Sequence, residues 1–330
     1  MSKISTASGN GEHIGPNTTQ SDDNAPKIAI LLCTFNGERF LREQIDSVVG
    51  QTYKNWILYV SDDGSSDSTL AVLKGYVSLV QQGKIVFFKG PQLGFAANFI
   101  SLVNRSEIQA DYFSFCDQDD IWFSDKLERS IEKLHGVPDS RAALYCSRTR
   151  LVNTKGRVTG YSPHFRKEPG FTNALVQSLA GANTMLINRA ARQLLQNDYG
   201  CMDIIAHDWL VYLMVSGNDG FVYYDPTPTL DYRQHEGNLI GANSGFVSRV
   251  LRTKNMLSGR FREWSTANIL LLNTFNQGLT QQNRNHLAKF EAARQGGFVR
   301  RTLLMSEIKI YRQTFYGNIA LVVAIALNRI

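Results

Sequence analysis

Three carboxylates occupy four consecutive positions in the segment Phe-Cys-Asp-Gln-Asp-Asp-Ile-Trp, which begins at Phe115. Asp117, Asp119 and Asp120 directly follow an apolar run that is typical of a buried strand, and open α/β sheets bind ligands at that end of their strands. Carboxylates this close repel one another, and a divalent cation bridging to an anionic substrate offsets the repulsion. The spacing leaves two interpretations open: a metal site, or an Asp-rich turn that caps the helix expected from Lys126.

Polar side chains also follow the first predicted strand, in the segment Cys-Thr-Phe-Asn-Gly-Glu that begins at Cys33. Its Asn-Gly pair predicts a tight turn, and the side chains of Thr34 and Asn36 can hydrogen-bond a ligand. A plain turn between a strand and a helix explains this segment equally well.

The second predicted strand ends in Ser-Asp-Asp-Gly-Ser-Ser-Asp-Ser-Thr, which begins at Ser61. Either Ser66 or Asp67 is expected to be the N-cap of the helix that follows. Asp62 and Asp63 are not needed for that role. A carboxylate at this position can accept hydrogen bonds from a nucleobase N–H or from ribose hydroxyls.

The three polar strand ends describe a single crevice if their strands lie parallel in one sheet. Such a crevice suits a nucleotide diphosphate with a divalent cation, and hard oxygen ligands in small number favour Mg²⁺ or Mn²⁺. The chain contains neither GxGxxG nor GxxxxGK[ST], which argues against a dinucleotide-binding Rossmann domain and against a P-loop NTPase.

Short apolar segments alternate with helical patterns from Lys27 onward, which predicts an α/β fold with a mostly parallel sheet flanked by helices. The expected strands are 28–34, 56–61, 85–88, 112–116 and 143–148, and the helices between them are 38–49, 66–79, 95–104 and 126–134. After residue 150 we expect helices at 171–179, 190–196 and 208–216 and strands at 184–188 and 221–224.

The composition is that of a globular protein, with 330 residues, 43% hydrophobic and 19% charged. Residues 1–26 contain almost no apolar side chains and are expected to be a disordered tail rather than a secretory signal. The predicted divisions are 1–26, an α/β domain at 27–244 and a basic helical region at 245–330. Four cysteines without CxxC spacing indicate buried thiols in a reduced compartment, so a cytoplasmic location is expected.

The net charge of +6 is unevenly distributed, because residues 245–330 carry 13 Lys and Arg against three Glu, or +10, which leaves −4 for residues 1–244. Four basic residues alternate with apolar ones near the end of the chain: Arg300, Arg301, Lys309 and Arg312. The apolar run 319–327 is too short to span a bilayer. This pattern favours peripheral contact with an anionic membrane; packing on the protein or at a dimer contact is the alternative. Nucleic-acid binding is not expected, since the region has no recognised motif.

The segments CTFNGERFLREQIDSV, SDDGSSDST and FCDQDDIW, in this order and spacing, resemble the inverting family 2 glycosyltransferases, and especially a bacterial rhamnosyltransferase-like branch. The resemblance spans residues 27–240 and implies the GT-A fold, a Rossmann-like, mostly parallel sheet. It implies that a set of loop residues binds the donor nucleotide: Thr34, Asn36, Glu38 and Asp63.

The same resemblance implies roles for residues nearer the diphosphate and sugar. Asp117 and Asp119 match the family's metal-binding DxD motif, and Asp117 also matches a donor contact. Gly181, in Ala-Gly-Ala-Asn-Thr, matches a small-residue loop beside the donor sugar.

Two downstream segments also match the family. Asp208, in Ala-His-Asp-Trp, matches the catalytic base; on the residues alone, a helix-terminal acid favoured by the helix dipole explains it as well. Arg233 and His235, in Tyr-Arg-Gln-His, match an element near the diphosphate and metal, where Arg233 would bind the donor and His235 the metal. The family pattern continues directly with Gly and Asn, whereas this chain inserts Glu236.

The resemblance implies inverting transfer of a sugar from a nucleotide-diphosphate donor to a glycan hydroxyl. The leading donor is dTDP-L-rhamnose, and the leading acceptor is a lipid-linked intermediate of a cell-surface polysaccharide such as O-antigen or capsule. A UDP-hexose donor, or a catalytically silent module that binds sugar nucleotides or glycans, are the alternatives. The presence of both Asp119 and Asp208 favours an enzyme, because binding alone needs no base. We expect it at the inner face of the bacterial plasma membrane.

Overall fold

The computed structural model describes residues 25–80, 83–200, 202–235 and 259–330. The predicted tail therefore lies outside the described residues, apart from Ala25 and Pro26, and so does the predicted boundary between residues 244 and 245. Asn55 Nδ2 donates to the carbonyl of Ala25 at 2.6 Å, so the described part of the predicted tail is hydrogen-bonded to the α/β domain.

The described residues form strands and helices in the alternating order expected. The strands are β1 (Ile28–Thr34), β2 (Trp56–Asp62), β3 (Ile85–Lys89), β4 (Tyr112–Cys116), β5 (Ile121–Trp122), β6 (Ala143–Ser147), β7 (Arg150–Asn153), β8 (Val158–Tyr161), β9 (Leu186–Asn188), β10 (Phe221–Asp225) and β11 (Leu230–Gln234). The helices are α1 (Leu41–Val49), α2 (Thr69–Leu79), α3 (Phe95–Asn104), α4 (Lys126–Leu134), α5 (Phe171–Ala174), α6 (Arg189–Leu195), α7 (His207–Gly217), α8 (Arg260–Thr274), α9 (Gln281–Gln295), α10 (Phe298–Glu307) and α11 (Phe315–Ala326).

The main sheet has seven strands in the order β3-β2-β1-β4-β9-β6-β10. β1 pairs in parallel with β2 on one side and with β4 on the other, whereas β9 runs antiparallel to β4 and β6. The chain order reverses at β1, and ligands bind outside the carboxyl ends of the strands at such a switch point. The polar ends of β1, β2 and β4 therefore lie at the same edge of the sheet, as predicted.

The apolar sequence of β1 shows why this part of the fold could be predicted. All seven of its residues are buried, as in a strand covered on both faces. Leu31 and its alternate neighbours pack into the core beneath α3 and α7, while Leu32 and its alternate neighbours pack against α1 and α4. In α1, Leu41, Ile45 and Val48 are buried at helical spacing, so one face of this helix packs on the sheet.

The second sheet, in the order β5-β11-β7-β8, was not predicted. Its strands are two to five residues long, and they pair with distant partners such as Leu230 with Trp122 and Asp231 with Arg150. This second sheet positions part of the candidate site. β11 carries the segment Tyr-Arg-Gln-His and places it beside the carboxylate loop that follows β4.

Several element ends differ from the prediction because local hydrogen bonds terminate them. α1 begins at Leu41 rather than at residue 38, because residues 38–40 form a turn in which the amide of Phe40 donates to the carbonyl of Gly37 at 3.1 Å. β9 is shortened because Ala182–Thr184 forms a 3₁₀ turn before it, and α5 ends at Ala174 instead of residue 179.

The C-terminal helices α8 to α11 pack against the α/β domain on the side of α7. Phe261, Phe290 and Met305 belong to the same hydrophobic cluster as Trp209 and Leu210 of α7. In the described part of the chain, no helix has the length and apolar content needed to cross a membrane.

One basic residue predicted for the surface of this region is buried. Arg301 is 6% exposed, and its guanidinium donates to the carbonyls of Ile325 at 2.8 Å and of Gly296 at 3.0 Å. The expectation that Arg301 contributes to a charged surface is therefore wrong, because its charge satisfies backbone carbonyls inside the helical region.

Candidate active site

The carboxylate loop follows β4 directly, as the spacing predicts. The alternative, a helix cap, is wrong. α4 begins at Lys126, its N-cap position is Asp125, and the side chain of Asp125 makes no capping hydrogen bond. Asp117, Asp119 and Asp120 lie well before that position and make other contacts.

Asp117 lies in a concentration of negative charge. Burial raises the pKa of its carboxyl, and the charges of Asp119 and Asp208 raise it further. The loop after β4 and the start of α7 thus place the charges of Asp119 and Asp208 where both act on Asp117. An arrangement of this kind favours a bound cation or a shared proton.

Asp119 is held by β11. Its Oδ2 lies 2.7 Å from His235 Nε2, and its backbone carbonyl accepts from Arg233 Nε at 3.0 Å. The His235 ring packs on Phe40, with 5.1 Å between ring centroids. The structure therefore brings Asp119, Arg233 and His235 together, although more than 110 residues separate the first from the other two.

The guanidinium of Arg233 is buried under the carboxylate loop, at 2% side-chain exposure. It donates to Glu43 Oε2 at 2.7 Å and lies over the Phe40 ring at 4.5 Å. These contacts are those of a residue that positions the loop. A direct contact between Arg233 and the donor stays a prediction.

Asp120 faces the protein interior and is fully buried. Its carboxylate accepts from Asn183 Nδ2 at 2.5 Å and from the backbone amide of Arg233 at 3.2 Å. Burial, Asp119 and Asp117 all raise its pKa. Asp120 thus ties the carboxylate loop to β11 and to the turn that begins at Gly181, where a Cβ would lie 2.7 Å from Asn183 Oδ1.

The ends of β1 and β2 form the other half of the crevice. Thr34 Oγ1 donates to Asp62 Oδ2 at 2.9 Å, and Asp62 also accepts from the amides of Gly64 and Ser65. Asp63 accepts from the amide of Gln92 at 2.6 Å and from that of Gly94 at 3.0 Å. Asp63 therefore fixes the loop between β3 and α3.

Asn36 and Glu38 join the first two loops. Asn36 Oδ1 accepts from the amide of Ser66 at 2.8 Å, and Glu38 Oε2 accepts from the amide of Ser68 at 2.8 Å. Asp67 accepts from the amides of Glu38 and Thr69, both at 3.0 Å. The N-cap position of α2 is Ser68, so the expectation of Ser66 or Asp67 at that position is wrong. In the structure, the side chains of Asn36 and Glu38 therefore contact this second loop; their predicted contacts with a donor are untested.

Asp208 lies in the first turn of α7. Its Oδ1 accepts from the amide of Trp209 at 2.6 Å, and burial raises the pKa of its carboxyl to about 6. A carboxyl with this pKa is ionised at neutral pH and retains enough basicity to take a proton. The position fits both a helix-terminal acid and a general base, and its charge reaches Asp117.

His207, next to it, is an aromatic core residue. It is 4% exposed, stacks on Phe99 with 4.1 Å between centroids and has Phe95 and Phe115 at its edges. Burial lowers its pKa to about 3, so the ring is neutral at physiological pH. Its packing therefore fixes the start of α7.

Three residues that the sequence did not indicate support the carboxylate loop. Gln118 accepts from the amide of Phe35 at 2.9 Å and donates to the carbonyl of Phe35 at 3.0 Å. Lys126 is fully buried, with its Nζ 3.2 Å from Ser114 Oγ and 4.0 Å from the Trp122 ring centroid, and burial lowers its pKa to about 7. Glu43 pairs with Arg233, which lies 190 residues later in the sequence, so no local sequence pattern could indicate this pair.

No three His, Cys, Asp or Glu side chains of the described residues are arranged to hold a metal ion by themselves. Magnesium typically uses one or two protein carboxylates together with substrate phosphates. Two carboxylates in a region of excess negative charge fit a cation of this kind, which would complete its coordination with the donor.

Comparison with known proteins agrees with this geometry. The family model described as "Glycosyl transferase family 2" matches residues 29–195. The dTDP-rhamnosyl transferase RfbG of Shigella flexneri is 31% identical over 234 residues, which cover 67% of this chain and 77% of that protein. The uncharacterized glycosyltransferase RT0329 of Rickettsia typhi is 24% identical over 87% of this chain and 86% of its own.

A solved structure shares the fold. The crystal structure of S. aureus TarS 1-349 in complex with UDP-GlcNAc superposes with a TM-score of 0.53 at 15% identity, over 92% of this chain and 89% of that one. At this identity the likeness shows the fold alone. The chain therefore belongs to glycosyl transferase family 2 and has the GT-A fold, a mixed α/β sheet flanked by helices.

Proposed function

We propose that the chain is an inverting, metal-dependent glycosyltransferase with Asp208 as its general base. The observation that carries the proposal is the electrostatic cluster of Asp117, Asp119 and Asp208, built from two elements 91 positions apart in sequence at the switch point of the sheet. A binding module needs no ionisable group at the start of α7, whereas displacement by an acceptor hydroxyl needs a base there.

Asp208 takes the proton of the acceptor hydroxyl as the acceptor oxygen forms its bond to the anomeric carbon. The bond from that carbon to the diphosphate oxygen breaks at the same time, and the nucleoside diphosphate leaves with the electron pair. One displacement from the opposite face inverts the anomeric configuration.

Asp117 and Asp119 would hold Mg²⁺ or Mn²⁺ together with the donor phosphates, and the cation would stabilise the charge that develops on the diphosphate. His235, 2.7 Å from Asp119, would orient that carboxylate. Arg233 positions this loop from below, through Asp119 and Glu43. Asp120 and Asn183 fix the neighbouring turn at Gly181, beside which the donor sugar would lie.

The donor nucleotide would bind at the ends of β1 and β2, with Thr34, Asn36, Glu38 and Asp63 around it. We favour dTDP-L-rhamnose as the donor because the RfbG relative is named a dTDP-rhamnosyl transferase. A UDP-hexose is the second candidate, since TarS of the same fold binds UDP-GlcNAc. The acceptor would be a lipid-linked glycan intermediate of O-antigen or capsule, reached from the cytoplasmic face of the plasma membrane.

A panel of sugar nucleotides tests this proposal, with turnover of each donor measured in Mg²⁺, in Mn²⁺ and in chelator. We expect dTDP-L-rhamnose to be consumed with metal only, and Asp119→Ala to lose that turnover. Turnover that persists in chelator would remove the role assigned to Asp117 and Asp119. Absence of turnover with every donor, alongside retained nucleotide binding, would support the silent module.

A further inference from the structure

The last two helices carry an apolar face that the described part of the protein leaves uncovered. Eighteen large hydrophobic side chains are exposed in the described residues, and nine of them lie between Phe298 and Leu327. Phe315, Tyr316 and Val322 are 74%, 72% and 65% exposed. A concentration of this size marks an interaction surface.

Core packing accounts for the opposite side of both helices but not for this one. Leu321 and Ala324 of α11 are buried, as are Met305 and Ile308 at the end of α10. α11 contains no charged residue, and neither do the residues that flank it from Gln313 to Asn328. An ordinary surface helix would place polar side chains outward, so the outward face of α11 departs from the amphipathic pattern.

Three arginines hold this face in place, and two of them, Arg294 and Arg301, are buried. Arg301 Nη1 donates to the carbonyl of Ile325 and Arg294 Nε to that of Ile330, both at 2.8 Å, while Arg262 Nη1 donates to that of Asn328 at 2.7 Å. These bonds tie the end of α11 and the residues that follow it to α8, α9 and α10. The apolar face is therefore presented on a fixed helix.

The charges that flank the face are basic. Arg300, Lys309 and Arg329 are exposed beside it. The last 33 residues hold five Lys and Arg against one acid, Glu307, which pairs with Lys289 at 2.8 Å. A second copy of the same face would bring like charges together, whereas anionic lipid headgroups complement them.

We propose that the outward face of α10 and α11 docks on a bilayer containing anionic phospholipid. Apolar side chains such as Val299 and Val322 enter the headgroup and acyl boundary, and Arg300, Lys309 and Arg329 contact phosphates. The inference rests on the proposed function to the extent that docking would bring the crevice to a lipid-linked acceptor. The surface itself is defined without reference to the chemistry.

Co-sedimentation with vesicles of phosphatidylglycerol, and separately of phosphatidylcholine, tests the proposal on the full chain. We expect binding to phosphatidylglycerol, and a loss of about tenfold or more in partitioning for the double variant Val299→Glu, Val322→Glu, because two exposed valines no longer enter the boundary. Val77→Glu changes an exposed valine on α2 and is the matched control, which should bind as wild type does. Arg300→Glu should weaken binding to phosphatidylglycerol alone.

Wild-type protein that ignores phosphatidylglycerol vesicles would overturn the proposal, and so would a double variant that binds as well as Val77→Glu. Equal binding of wild type to phosphatidylcholine would overturn the part assigned to the basic residues. Binding of dTDP, measured without vesicles, distinguishes failure of the docking proposal from failure of the proposed function. Retained dTDP binding with no docking refutes the surface alone, and docking without binding of any nucleotide refutes the function alone.

Discussion

Gly90→Ala should displace the side chain of Asp63 from its position in the crevice. Gly90 is buried at the end of β3, and its amide donates to the carbonyl of Asp62 at 2.7 Å. An added Cβ would lie 2.6 Å from Asp63 Oδ1, 2.8 Å from Asn98 Oδ1 and 2.9 Å from the carbonyl of Asp62. These distances are shorter than van der Waals contact, so some of these atoms must move.

Moving any of the three atoms costs free energy, because each is held by its neighbours. The Asp62 carbonyl belongs to β2. The Asn98 amide is fixed by Ser61, through bonds of 2.6 Å and 3.0 Å, and Asp63 Oδ1 is fixed by the amide of Gln92. Overpacking of this kind costs about 1–3 kcal/mol, and loss of a hydrogen bond to a charged group about 1.5–3 kcal/mol. We expect the free energy of unfolding to fall by about 2–5 kcal/mol.

Gly75→Ala provides the control. Gly75 is an exposed position of α2 with no atom within 4 Å of an added Cβ, so alanine there should stabilise the protein by about 0.5–1 kcal/mol. Urea unfolding gives the stability of both variants, and titration calorimetry gives their affinity for dTDP. Because Asp63 is assigned to the nucleotide, Gly90→Ala should also weaken dTDP by about tenfold or more, the equivalent of 1.4 kcal/mol. Wild-type stability and dTDP affinity in Gly90→Ala would refute the reasoning.

Three further predictions concern catalysis. Chelation of divalent cations should abolish donor turnover, and Mg²⁺ or Mn²⁺ should restore it; turnover that survives chelation contradicts the metal site. The pKa of Asp208 is raised to about 6, and its ionised form is the proposed base. We therefore expect kcat/KM to be constant above neutral pH and to fall as pH decreases through about 6, or lower with a cation bound; a pH–rate profile without an acidic limb would contradict this. Gln118→Ala removes two hydrogen bonds to Phe35, each worth about 1 kcal/mol. We expect the donor KM to rise by up to about tenfold with a smaller change in kcat. Changes of equal size in KM and kcat would contradict a role for Gln118 in positioning the first loop.

The main sheet was predictable because its strands are short apolar runs that end in polar loops. β1 and β4 have the predicted bounds, and the crevice at their ends follows from the parallel pairing alone. The second sheet was not predictable, because strands such as β5, with two residues, carry no periodic signal and depend on partners far along the chain. This sheet places Arg233 near the end of β11 and His235 directly after that strand.

Side-chain direction was the other feature that sequence could not supply. The sequence places three carboxylates in one loop but does not give their directions: Asp120 faces Asn183 in the interior, while Asp119 faces His235. Asp62 and Asp63 looked equivalent, but the structure directs Asp62 to Thr34 and Asp63 to the loop after β3. Which way a carboxylate points depends on donors that are distant in sequence.

The measurement that tests the central claim most directly is single-turnover sugar transfer by Asp208→Asn, with dTDP-L-rhamnose, metal and the isolated lipid-linked acceptor fraction. The amide keeps the shape of the side chain and removes its basicity. We expect transfer to slow by about 10²–10⁴-fold while the affinity for dTDP stays within a factor of about two of wild type. Transfer at the wild-type rate would show that Asp208 is not the base and would contradict the account.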